Sequence, residues 1–185
     1  MNDTATYFEL HRLTAPKASP NAEGGILYAI LKDAASTEIY LTLLENQGGS
    51  GCFGREIVPF ASIQACLEGT ELTAPIPAKR FRKVFANSRS VNNGGFLVAC
   101  LRHQSLLKPA PDASHQHVVG EDWAAWKAKM LEAHSDVIFS PPVAGKSANV
   151  EPTSSKTSDK KVKKSSKCKP AAPASAESED DAHPA

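Results

Sequence analysis

Apolar residues in the first sixty positions fall into short runs rather than long helical stripes. Tyr7, Phe8, Leu10 and Leu13 alternate loosely over residues 5–13, the spacing of a strand with one inward face. Residues 26–31 are a nearly continuous apolar run closed by Lys32 and Asp33, and residues 38–44 are rich in β-branched and aromatic side chains. Gly48, Gly49 and Gly51 mark a flexible turn, from which residues 52–58 return as a fourth strand. After Pro59 the period lengthens: Phe60, Ile63, Cys66 and Leu67 recur at helical spacing. Residues 5–68 are therefore expected to form an antiparallel sheet of three to four strands with a helix closing one face.

Pro75 and Pro77 separate this unit from a helical one. Over residues 78–86, Phe81, Val84 and Phe85 share one side, while Lys79, Arg80, Arg82 and Lys83 lie elsewhere. Residues 87–90 break the pattern, and Ser90 suits a helix N-cap. Phe96, Leu97, Cys100 and Leu101 then carry a second helix towards Leu106 and Leu107, and Pro109 and Pro111 stop it. Residues 76–107 read as a helix-turn-helix-like pair. Trp123, Trp126, Met130 and Leu131 predict a last helix within 121–135. The fold class is α+β: one domain over 5–140, an antiparallel sheet followed by helices, with 141–185 expected to be a disordered C-terminal tail rich in Lys, Pro, Ser and Ala.

Composition sharpens that boundary. All twelve aromatic residues of the 185-residue chain fall between Tyr7 and Phe139. Before Ala144 there are 13 basic and 14 acidic residues, and after it 8 and 6, so total charge excludes a strongly basic nucleic-acid binder but not a local basic face. The start of the chain carries no basic and apolar leader, and no run reaches the ~18–20 apolar residues of a membrane-spanning helix. The four cysteines, Cys52, Cys66, Cys100 and Cys168, are too scattered for a disulfide scaffold, which suits a reducing, cytoplasmic location.

The helix pair is the most informative stretch. A basic first helix, a polar break and a second helix opening on Asn92-Asn93 follow the order of a helix-turn-helix, and residues 101–107 resemble the close of a winged-helix recognition helix. In that arrangement Lys79, Arg80, Arg82, Lys83 and Arg89 meet phosphates, while Asn92 and Asn93 reach base edges. Gly94 and Gly95 count against it, since each Gly inside a helix costs ~1 kcal/mol relative to Ala. The run 160–169 holds six lysines and no acid, which can add salt-sensitive, sequence-independent contact to any polyanion.

Other chemistry is thinly supported. Gly54 is followed by Arg55 and Glu56, not by the Lys and Ser/Thr of a phosphate-binding loop. Cys100, His103, His115 and His117 match no common zinc spacing. For nucleophilic catalysis, Cys52 beside Arg55 is the candidate with a basic neighbour to lower its pKa. Gly51-Cys52-Phe53-Gly54-Arg55, with Ile76-Pro77-Ala78-Lys79 downstream, is similar to the Gly-Cys-His-Arg motif of the ParB/sulfiredoxin-like superfamily, although no His follows Cys52 and one residue is inserted before Arg55. That resemblance implies a small nuclease or nucleotide hydrolase. The leading expectation is a non-enzymatic, bacterial-type DNA-binding or regulatory protein needing no cofactor and no metal. The alternatives are a protein-binding inhibitor or adaptor that docks through a sheet edge or the Trp helix, and the ParB/sulfiredoxin-like enzyme.

Overall fold

Four strands, β1 (Tyr7–Pro16), β2 (Gly25–Asp33), β3 (Ile39–Asn46) and β4 (Ile57–Pro59), form an antiparallel meander in chain order in the computed structural model of the protein. The structure describes residues 5–19, 22–49, 51–71, 73–88 and 90–141. Apart from Pro141, the tail expected to be disordered lies outside them.

Alternation along β2 sorts its side chains onto two faces. Ile26, Tyr28 and Ile30 join Ile39, Leu41 and Leu43 in the main core, while Ala29 and Leu31 pack with Leu44 and Phe139 on the other face. Asp33 closes the β2–β3 turn by accepting from Ala35 N at 3.0 Å and Ser36 Oγ at 2.9 Å. The fourth strand is shorter than expected. Only three residues pair, because residues 51–55 run instead along the start of a later helix.

Helix α1 (Phe60–Gln64) follows Pro59 and turns Phe60 and Ile63 inward. Helix α3 (Trp123–Glu132) starts at Asp122, whose side chain accepts from Ala124 N at 2.8 Å and Ala125 N at 3.2 Å. The Trp123 and Trp126 rings meet Phe60, with centroids 5.4 Å and 4.7 Å away. Trp126 Nε1 donates to Gln104 Oε1 at 3.1 Å, Gln104 Nε2 donates to the Tyr28 hydroxyl at 2.6 Å, and that hydroxyl meets His103 Nδ1 at 2.9 Å. One amide thus joins sheet and helix across the core.

A second sheet was not expected. Strands β5 (Ile76–Pro77), β6 (Leu107–Ala110) and β7 (Ala113–Val119) lie in the order β5-β7-β6. The stretch read as a Pro- and Ser-rich loop is therefore a hairpin, with Pro109 on an edge strand where a missing N–H is tolerated. Between β5 and β6 lie a 3₁₀ helix (Ala78–Val84) and helix α2 (Asn92–His103). Beyond α3, Ile138 bridges to Phe8, with Glu9 N donating to Val137 O and Phe139 N to Tyr7 O, both at 2.8 Å. This short segment covers the start of the β1 edge, at Tyr7, Phe8 and Glu9.

Candidate nucleic-acid interface

The site begins where β5 leaves the second sheet. Ile76 and Pro77 pair with His117 and Gln116, and Pro77, with φ −76°, leads straight into the 3₁₀ helix. At three residues per turn, positions i and i+3 stack. Ala78, Phe81 and Val84 thus make one ridge, with Phe81 fully buried and the other two packed against the core. Lys79 with Arg82 and Arg80 with Lys83 make the remaining two. Lys79, Arg82 and Lys83 are exposed, whereas Arg80 is half-buried and donates to the Glu68 carbonyl at 3.1 Å. The ion pairs among the described residues are Arg12–Glu9 and Lys127–Glu38, so no carboxylate there neutralises these four cations.

The break after this helix is tied down by polar side chains. Glu56 Oε2 accepts from Asn87 N at 3.0 Å and from its Nδ2 at 3.3 Å. Ser90 Oγ accepts from Asn92 N at 3.3 Å and donates to the Cys52 carbonyl. Ser90 therefore serves the helix start as expected, although α2 opens one residue later, after Val91. Arg89 lies outside the described residues.

Asn92 and Asn93 are placed differently from the expectation. Asn93 is fully buried, its Oδ1 accepting from Gly54 N at 2.8 Å and its Nδ2 donating to Ser88 O at 3.2 Å. Asn92 Nδ2 donates to the Cys52 carbonyl at 3.0 Å. Both amides clamp the loop around residues 52–54 onto α2, and the Asn93 amide, buried with both ends engaged, has nothing left for a base edge. Most of α2 is likewise enclosed: Gly94 and the five residues from Leu97 to Leu101 are buried. The helix pair is present, and among the described residues its exposed Lys and Arg side chains, Lys79, Arg82 and Lys83, lie on the first member, with Arg102 half-buried on α2.

Cys52 is disulfide-bonded and so is not a thiol nucleophile, contrary to the reducing environment expected from the scattered cysteines. The Arg55 guanidinium lies 5.5 Å from the centre of the Phe53 ring, a cation–π arrangement. Cys100 is fully buried on α2, and burial pushes its thiol pKa up, as it does for the free thiol Cys66. Among the described residues, no three His, Cys, Asp or Glu side chains are grouped to hold a metal. Trp123 and Trp126 are core residues, and residues 137–139 occupy the start of the β1 edge. The Trp helix is thus engaged within the chain, as is the Tyr7–Glu9 stretch of the β1 edge.

No helix among the described residues is long and apolar enough to cross a membrane. No family model, curated protein or solved structure matches the chain.

Proposed function

We propose that this is a non-enzymatic nucleic-acid-binding or regulatory protein that grips phosphates, with DNA the first candidate, through the cationic ridges of the 3₁₀ helix. The observation carrying this reading is the pairing of Lys79 with Arg82 and of Arg80 with Lys83 on two ridges of a helix anchored by buried Phe81, with no carboxylate partner among the described residues. Such an array meets a phosphate backbone without reading bases. The strand–helix–helix–hairpin order, with β5 returning onto β7, has the connectivity of a winged helix, which supports the same reading. With Asn92 and Asn93 committed to the fold, binding is expected to be largely indifferent to sequence.

Replacing Lys79, Arg80, Arg82 and Lys83 together with Ala tests this. The folded variant should bind duplex DNA more weakly, and its slope of log K against log salt should flatten by about 0.9 for each phosphate no longer neutralised. Unchanged affinity and slope would overturn the reading.

A further inference from the structure

A cavity of about 390 Å³ opens between the β1–β2 connection, α2 and β7. That volume lies within the ~300–1,000 Å³ of small-molecule sites. Phe96 and Val98 from α2 and Ala78 from the start of the 3₁₀ helix supply much of its apolar wall. The polar side chains on its surface are Lys17, Ser19, His115 and His117, with no carboxylate among them. The two imidazoles project from the same side of β7, two residues apart. His117 is only 2% exposed, and its Nδ1 has no hydrogen-bond partner, a costly state for a buried polar atom. Lys17 Nζ donates to the carbonyls of Glu23 and Gln47, each at 2.7 Å, leaving one of its three N–H groups for another acceptor.

The geometry points to a binding site for a small aromatic carboxylate, its ring against Phe96 and Ala78 and its anionic group towards Lys17, Ser19 and His115. The apolar wall favours a ring, and a polar rim of basic and hydroxyl groups without an acid favours an anion over a cation or a neutral polar molecule. Nothing in this assignment depends on nucleic-acid binding, although the cavity shares Ala78 and α2 with the helix pair.

Gly95 provides a clean test. It lines the cavity, and a Cβ built on it meets no atom within 4 Å, so a larger side chain there grows into open space. Replacing Gly also raises helix propensity, so Gly95→Leu should leave the fold intact. The full chain is titrated with 2-naphthoate and with its neutral isostere 2-naphthamide, following the imidazole NMR signals of His115 and His117. Saturable binding of naphthoate in the sub-millimolar range is expected, weaker by about tenfold for the amide and by at least about tenfold in Gly95→Leu. Absence of saturation, equal binding of the amide, or a Gly95→Leu protein that binds like the parent would each overturn the assignment. DNA affinity is read on the same samples, so failure here is distinguishable from failure of the phosphate-binding reading.

Discussion

A Cβ at position 94 would lie 2.3 Å from the carbonyl oxygen of Ala78. Helix α2 and the 3₁₀ helix therefore touch backbone to backbone at Gly94, with the Arg82 stem beside them: its Cγ is 2.9 Å from the same point. What looks in the sequence like a weak spot in a helix is the close approach that seats the cationic helix on its neighbour.

Gly94 and Gly95 should consequently respond in opposite directions. Gly94→Ala forces two backbones apart and is expected to cost about 1–3 kcal/mol, the usual range for overpacking. Gly95→Ala meets open space and should gain about 0.5–1 kcal/mol from helix propensity. Urea unfolding of the two variants beside the parent checks both signs.

Asn93→Ala strands the Gly54 N–H and the Ser88 carbonyl that the amide now satisfies. A loss of roughly 1–3 kcal/mol is expected, with a smaller loss for half-buried Asn92. Amide hydrogen exchange should accelerate at Gly54 specifically, and protection unchanged there would contradict the clamp.

Burial, helped by the nearby Arg102 and His115, lowers the His117 pKa to about 4 from its ordinary 6.5. Between those values the unfolded chain binds the proton more readily than the folded one. Stability from this group is thus present above pH 6.5 and is lost as pH falls towards 4. Thermal midpoints measured from pH 7 to 4.5 should fall, and His117→Gln should reduce the steepness of that fall.

Gln104→Leu removes the amide between Trp126 and Tyr28, leaving the indole N–H without its acceptor and the phenol oxygen without the Gln104 donor. Burial holds the Tyr28 pKa well above its ordinary value, so the phenol stays protonated and keeps His103 Nδ1 as its neighbour on the other side. A cost of about 1–3 kcal/mol is expected, accompanied by a change in near-UV circular dichroism.

Much of the architecture was legible because local pattern and burial agree there. The runs containing Tyr7, Ile30 and Leu41 are strands, and Trp123, Trp126 and Met130 share the inward face of a helix. The hairpin of β6 and β7 escaped notice because Pro109 and Pro111 read as stops, although Pro111-Asp112 before the run 113–119 is a serviceable turn signal. Phe81 and Val84 suit an α-helix or a 3₁₀ helix equally, since both are three apart, and only the packing at Gly94 distinguishes them. The roles of Asn92 and Asn93 were out of reach: a polar residue at a helix start looks the same whether it faces solvent or a loop forty residues earlier. The cavity was equally hidden, being assembled from four segments far apart in the chain.

The strap from Val137 to Phe139 joins the last described part of the chain to the first strand. During synthesis the sheet can assemble through β4 long before these residues exist, so the Tyr7–Glu9 stretch of the β1 edge stays open until translation has passed Phe139. An open strand edge recruits other chains, and so distant a pairing forms late because its loop-closure entropy must first be met. The interval between completing the meander and making the strap is therefore when this stretch of edge is most open to pairing with another chain.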